Sequence, residues 1–148
     1  MRCFRDEVRK DVRMNIAEGQ TSVVETIVRP DMTAGSTADR EGERYPAVLG
    51  TPFLICEMER VAAALLQPLL TSTEVSVGVA VEIKHFAPTS VGELLSSHAR
   101  FTGREGKLFW FDVWSEDAVG IVGKGRHSRA VVDLSEIESK AAGRRKAS

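Results

Sequence analysis

Residues 49–60 read LGTPFLICEMER, an apolar helix start that carries one hydroxyl and two carboxylates. At about 3.6 residues per turn, Thr51, Ile55 and Glu59 follow one another at i, i+4 and i+8, so the Thr51 hydroxyl and the Glu59 carboxylate share a stripe. Glu57 points nearly the opposite way. Downstream, EVSVGVAVEIKH alternates strictly, with Val75, Val77, Val79, Val81 and Ile83 on one face and His85 closing the same face. If that valine face covers the helix, a hydroxyl, a carboxylate and an imidazole meet at one edge of the core. These are the groups that acid–base and nucleophilic chemistry uses. Each also has a plainer reading. Thr51 before Pro52 is a good N-cap, Glu59 is a surface carboxylate pairing with Arg60 or Arg126, and His85 is a strand-end histidine.

These residues need elements to hold them. Thr51 and Pro52 open a helix whose residues Phe53, Leu54, Ile55, Met58, Val61 and Ala62 to Leu66 occupy most of its circumference, the pattern of a helix buried on several sides. Pro68 closes it near Leu70. A β-branched strand over 21–29 precedes it, ended by Pro30, and DMTAGSTADREGERYP forms the long loop between them. After the helix come the valine strand, a strand over 94–102, the turn TGREGK into KLFWFDVWSE, and a last strand over 119–133. Residues 1–13 form a flexible, charge-dense extension, 14–135 the folded domain, and 136–148 a basic, disordered tail. One helix followed by a four-stranded antiparallel meander must be wrapped by that sheet, which is an α+β hotdog fold. Open sheet edges predict a homodimer.

Composition narrows the function classes. The chain has 148 residues, 43% hydrophobic and 28% charged, with a formal net charge of −1, which fits one soluble domain and gives no general field for nucleic acid. No uncharged run is long enough to span a bilayer, and MRCFRDEVRK lacks the apolar region of a signal peptide, so a cytoplasmic location is expected. Cys3 and Cys56 make no disulfide framework, and Cys56 reads as a small core residue. No histidine, cysteine and carboxylate cluster has metal-site spacing, so neither metal nor cofactor is expected. GIVGKG lacks the helix that a phosphate loop requires. Lys124, Arg126, His127 and Arg129 read as a solvated strand face, or else as ligands for coenzyme A phosphates through Arg126 and Arg129. His98 and Arg100 share a surface face, and Trp110 and Trp114 share a core or interface face.

LGTPFLICEMERVAAALLQPLL, SVGVAVEIKHFAPTSVGE and GKGRHSRAVVD, in that order, resemble segments of the fluoroacetyl-CoA thioesterase group of hotdog thioesterases. The resemblance runs from about residue 16 to 133. It implies thioester hydrolysis of an acyl-CoA by a threonine, a glutamate and a histidine, here Thr51, Glu59 and His85, with Gly78 beside the acyl group. In that role Glu59 serves either as general base toward water or as a nucleophile giving a mixed anhydride. His85 protonates or polarises the leaving side, and Thr51 orients. Backbone amides near Gly78 or the helix mouth are candidate oxyanion donors. In the family, phenylalanines ahead of the threonine form a lid over the acyl group, and this chain has Tyr45 and Gly42 there. The implied substrate is a short-to-medium acyl-CoA. The alternatives are a non-catalytic acyl-CoA-binding protein, a hotdog hydratase or an acyl-carrier-protein thioesterase.

Overall fold

Alternating apolar residues become strands that precede and follow one long helix in the sequence. The computed structural model of the chain describes residues 14–145; the extension expected over 1–13 lies outside them, as do the last three residues of the expected tail. The order is β1 (Thr21–Ile27), α1 (Thr51–Leu66), β2 (Glu74–His85), β3 (Leu94–Glu105), β4 (Leu108–Glu116), β5 (Ile121–Asp133) and α2 (Leu134–Arg144). The strands form one antiparallel sheet in the order β1-β3-β4-β5-β2. This is the hotdog fold, with one correction to the expected meander. Only β3, β4 and β5 run as consecutive hairpins, while β2 crosses over to pair with β5 and becomes an edge. The hairpins are local: Glu105 pairs with Leu108 around Gly106, whose φ of +60° suits the first central position of a tight turn.

Odd-numbered residues of β3 and β4 fill the core, with Leu95, Ala99, Phe101, Phe109, Phe111 and Val113 packed against Leu54, Met58, Val61, Ala62, Leu65 and Leu66 of α1. Trp110 and Trp114 therefore lie on the outer face. There Trp114 stacks on His98 with ring centroids 5.1 Å apart, and the Arg126 guanidinium sits 4.4 Å from the Trp110 ring centroid. The helix is covered on one side only. Thr51, Pro52, Cys56, Arg60, Ala64 and Gln67 remain exposed, so Cys56 is not the core residue its neighbours suggested.

One further expectation is corrected, and the expected long loop carries local structure. The tail is helical from Leu134 to Arg144, because Asp133 accepts the Glu136 N–H and caps a run of good helix formers. The long loop before α1 is also ordered locally. Two short 3-10 turns, Pro30–Met32 and Ala34–Thr37, are tied back by Ala34 N–H to Val48 O, Gly35 N–H to Pro46 O and Gly50 N–H to Met32 O.

Candidate active site

Helix α1 begins one residue away from where a threonine cap would start it. Gly50 is the N-cap, with Thr51 and Pro52 in the first turn, and no side chain caps the helix. A Cβ at Gly50 would come within 2.9 Å of the Ala34 backbone nitrogen, so the loop packs against the helix start only through glycine. The Thr51 hydroxyl is thereby free for a different partner, and it lies 2.8 Å from Nδ1 of His85. The other ring nitrogen, Nε2, is buried and has no hydrogen-bond partner among the described residues.

Glu59 is not part of that pair. Its Oε1 lies where β2 has no side chain: a Cβ on Gly78 would fall 2.5 Å from it and 3.3 Å from Cε1 of His127. Strict alternation does not bring Gly78 and His85 to one face, since their numbers differ in parity. A β-bulge does. The register with β5 shifts between Gly78 and Ala80, with Val79 as the extra residue, 54% exposed. Gly78 pairs with Arg129, Val81 with His127 and His85 with Gly123, all facing the helix. Val75 and Val77 therefore face away from the helix, contrary to the expected continuous valine face.

The bulge also engages Ala80, whose N–H donates to Ser128 Oγ at 3.1 Å and whose carbonyl receives His127 Nδ1 at 2.7 Å. His127, only 1% exposed, has its pKa pushed down by burial, against the Ala80 carbonyl and the Glu59 carboxylate, which raise it, and with the Arg129 charge, which lowers it further. Arg129, 8% exposed, donates from Nε to Ser76 Oγ (3.0 Å), from Nη2 to Ser76 O (2.9 Å) and from Nη1 to His127 Nε2 (3.1 Å). Burial lowers its pKa and the Glu59 carboxylate raises it. His127 and Arg129 are thus the buried polar residues that a solvated-face reading of β5 missed. Their i, i+2 spacing on the face of the core glycines Gly123 and Gly125 is the signal that was available.

The remaining candidates separate. Arg126 is exposed on the outer face, so it and Arg129 do not converge on one phosphate, and Arg129 is already engaged by neutral partners. Arg60 pairs with Glu57 at 2.6 Å, not with Glu59, and Glu57 is only 4% exposed. Tyr45, 49% exposed, lies on the loop ahead of α1, and Gly42 has φ +84° with open space around it. No helix of the described residues is long and apolar enough to cross a membrane.

Comparison with known proteins bears on this geometry. A family model described as fluoroacetyl-CoA-specific thioesterase matches residues 28–135. The fluoroacetyl-CoA thioesterase of Streptantibioticus cattleyicolor is 31% identical over 100 residues, which are 68% of this chain and 72% of that protein. A solved structure of the fluoroacetyl-CoA thioesterase superposes with a TM-score of 0.82 at 27% identity, over 87% of this chain and 97% of that one. A crystal structure of a variant of it, in complex with fluoroacetate and CoA, gives 0.76 at 27% identity over 82% and 99%. The sheet order, the single wrapped helix and these matches define a hotdog-fold thioester hydrolase. More narrowly, the chain belongs to the fluoroacetyl-CoA-specific thioesterase family.

Proposed function

We propose that this protein hydrolyses the thioester of a short-to-medium acyl-CoA, with Thr51, Glu59 and His85 as its catalytic group and Gly78 beside the acyl carbonyl. The observation that carries this reading is the 2.8 Å contact between Thr51 and His85 at the helix mouth, since it takes the hydroxyl away from capping and leaves His85 Nε2 unpartnered and buried. Glu59 delivers the oxygen, by activating water or by direct attack, and His85 serves the departing thiolate. The exposed stripe of α1 beside edge strand β2 supports a homodimer that completes the site across the two copies. Light scattering tests this, and a fully active monomer would refute it.

Thiol release from acetyl-, fluoroacetyl-, butyryl- and octanoyl-CoA, followed with a thiol reagent, tests the function. Turnover that falls on Glu59→Gln while acyl-CoA binding persists is the expected result. Binding without turnover in the parent protein would instead favour an acyl-CoA-binding role, and preference for an acyl-carrier-protein thioester would move the substrate class.

A further inference from the structure

Thr89 is 1% exposed, and its hydroxyl donates to Asp117 Oδ2 at 2.9 Å, joining the connection after β2 to the turn between β4 and β5. The turn closes without it. Asp117 Oδ1 accepts the Val119 N–H at 3.0 Å and the Gly120 N–H at 3.3 Å, and the Asp117 N–H donates to Gly120 O at 3.0 Å. Burial pushes the Asp117 pKa up, but the bonds from Val119, Thr89 and Gly120 outweigh it and hold the carboxyl below its ordinary value, so the acceptor is charged at neutral pH. The segment leaving β2 is thus gripped twice: at Phe86 and Ala87, whose N–H groups donate to Val122 O at 2.9 and 3.3 Å, and again at Thr89. The Thr89 carbonyl also accepts the Leu49 N–H at 2.9 Å. The chain therefore closes a small ring: from Thr51 through Gly50 to Leu49, across to Thr89, back through Pro88, Ala87 and Phe86 to His85, and shut by the 2.8 Å contact of His85 with Thr51.

We propose that Thr89, anchored by Asp117, is the positioning residue for the Thr51–His85 pair: its hydroxyl fixes the peptide that ties the end of β2 to the approach to α1, and so sets the imidazole against the threonine. This rests on Thr51 and His85 being catalytic. A ring so short passes any movement of Thr89 to His85, because planar peptides and the fixed φ of Pro88 leave few soft dihedrals between them. Removing a purely structural contact would lower stability and leave turnover intact, whereas shifting the His85 ring slows the reaction itself. Thr89 thus acts on the rate through His85 and leaves substrate affinity alone.

The test is a double-mutant cycle, Thr89→Val in the parent and in His85→Ala, with kcat and KM measured on an acyl-CoA that the parent hydrolyses well and melting temperature followed alongside. Valine keeps the branched shape and removes the donor. The expected result is a kcat loss of about 10-fold in the parent with KM changed less than about 3-fold, and a further loss below about 2-fold once His85 is alanine. Thr89→Ser, which keeps the hydroxyl, is expected to stay within about 2-fold of parental kcat. Thr89→Val with parental kcat and only a lowered melting temperature, with a raised KM alone, or with the same loss in both backgrounds would overturn the inference while leaving His85 catalytic. So would Thr89→Ser as slow as Thr89→Val. Near-parental turnover by His85→Ala itself would overturn the roles given to the pair and the inference together. Should Thr89→Val fail to fold, Asp117→Ala, at the surface turn, decides the matter from the other side of the bond. A kcat loss of about 5-fold that disappears in His85→Ala supports the positioning role, and unchanged kcat overturns it.

Discussion

Thr51 and His85, 34 residues apart in sequence, are joined by a 2.8 Å contact between the hydroxyl and Nδ1, while Gly50 takes the capping position. The hydroxyl is therefore held by the histidine and does not cap the helix. Thr51→Ala is expected to lower kcat by about 10-fold or more and stability by less than about 0.5 kcal/mol, where loss of a true N-cap costs about 1 kcal/mol. Thr51→Ser, which keeps the hydroxyl, should retain most activity. Steady-state kinetics beside urea unfolding checks both, and a stability loss near the capping value with intact turnover would return Thr51 to the helix end.

Gly78→Ala should act on Glu59 without unfolding the protein. The new methyl would lie 2.5 Å from Oε1, and the flexible end of Glu59 can move away at small structural cost. The expected outcome is a kcat loss of about 10-fold or more with a melting temperature within about 2 °C of the parent. Unchanged turnover would show that the carboxylate does not need that space.

His127 makes stability depend on pH in a defined direction. Its folded pKa lies below the ordinary value of 6.5, so above about 6.5 neither state binds the extra proton and the residue contributes no slope. Below it the unfolded chain takes up a proton that the folded protein refuses, so stability falls as pH is lowered from 7 toward 5. Urea midpoints in the parent should decline over that window, and the decline should be smaller in His127→Gln. An identical slope in both proteins would remove His127 as its source.

The loop ahead of α1 carries a prediction for substrate preference. Tyr45 is half exposed and Gly42 has open space around it, so the loop offers less dry apolar cover than two phenylalanines would. The kcat/KM ratio of fluoroacetyl-CoA to acetyl-CoA is expected to be modest and to rise in Tyr45→Phe. A parental ratio above about 10⁴, more than one small apolar contact supplies, would show that the loop does not limit selectivity.

Much of this was readable in the residues because it depends on local periodicity. The helix and the Thr51-to-Glu59 spacing follow from the 3.6-residue repeat, its end from Pro68, and the hairpins from Gly106 and the strand alternation. The partner of β2 was not readable, because strand order is settled by packing around the helix and not by the strand itself. Nor was the shift at Val79: one extra residue in a run of valines and small residues leaves no mark in hydropathy, yet it reverses which residues face inward before it. The Asp133 cap was legible as Asp-Leu-Ser-Glu and was hidden by the basic composition that follows it. His127 and Arg129 looked like solvent-facing charges because burial of a charged strand residue depends on partners from distant segments, here Ser76 and Ala80.

The extra residue in β2 matters to anyone who would transplant this site. Copying Thr51, Glu59 and His85 onto another scaffold of the same topology would reproduce the side chains, yet a host strand of regular length offers no kinked peptide at Ala80 to hold His127 and no orientation for Arg129 behind it. The smallest portable unit is therefore a length of backbone, residues 76–85 laid against 123–131 with Val79 retained, and a graft that omits the insertion is expected to fold without the contacts of Ala80 to Ser128 and His127.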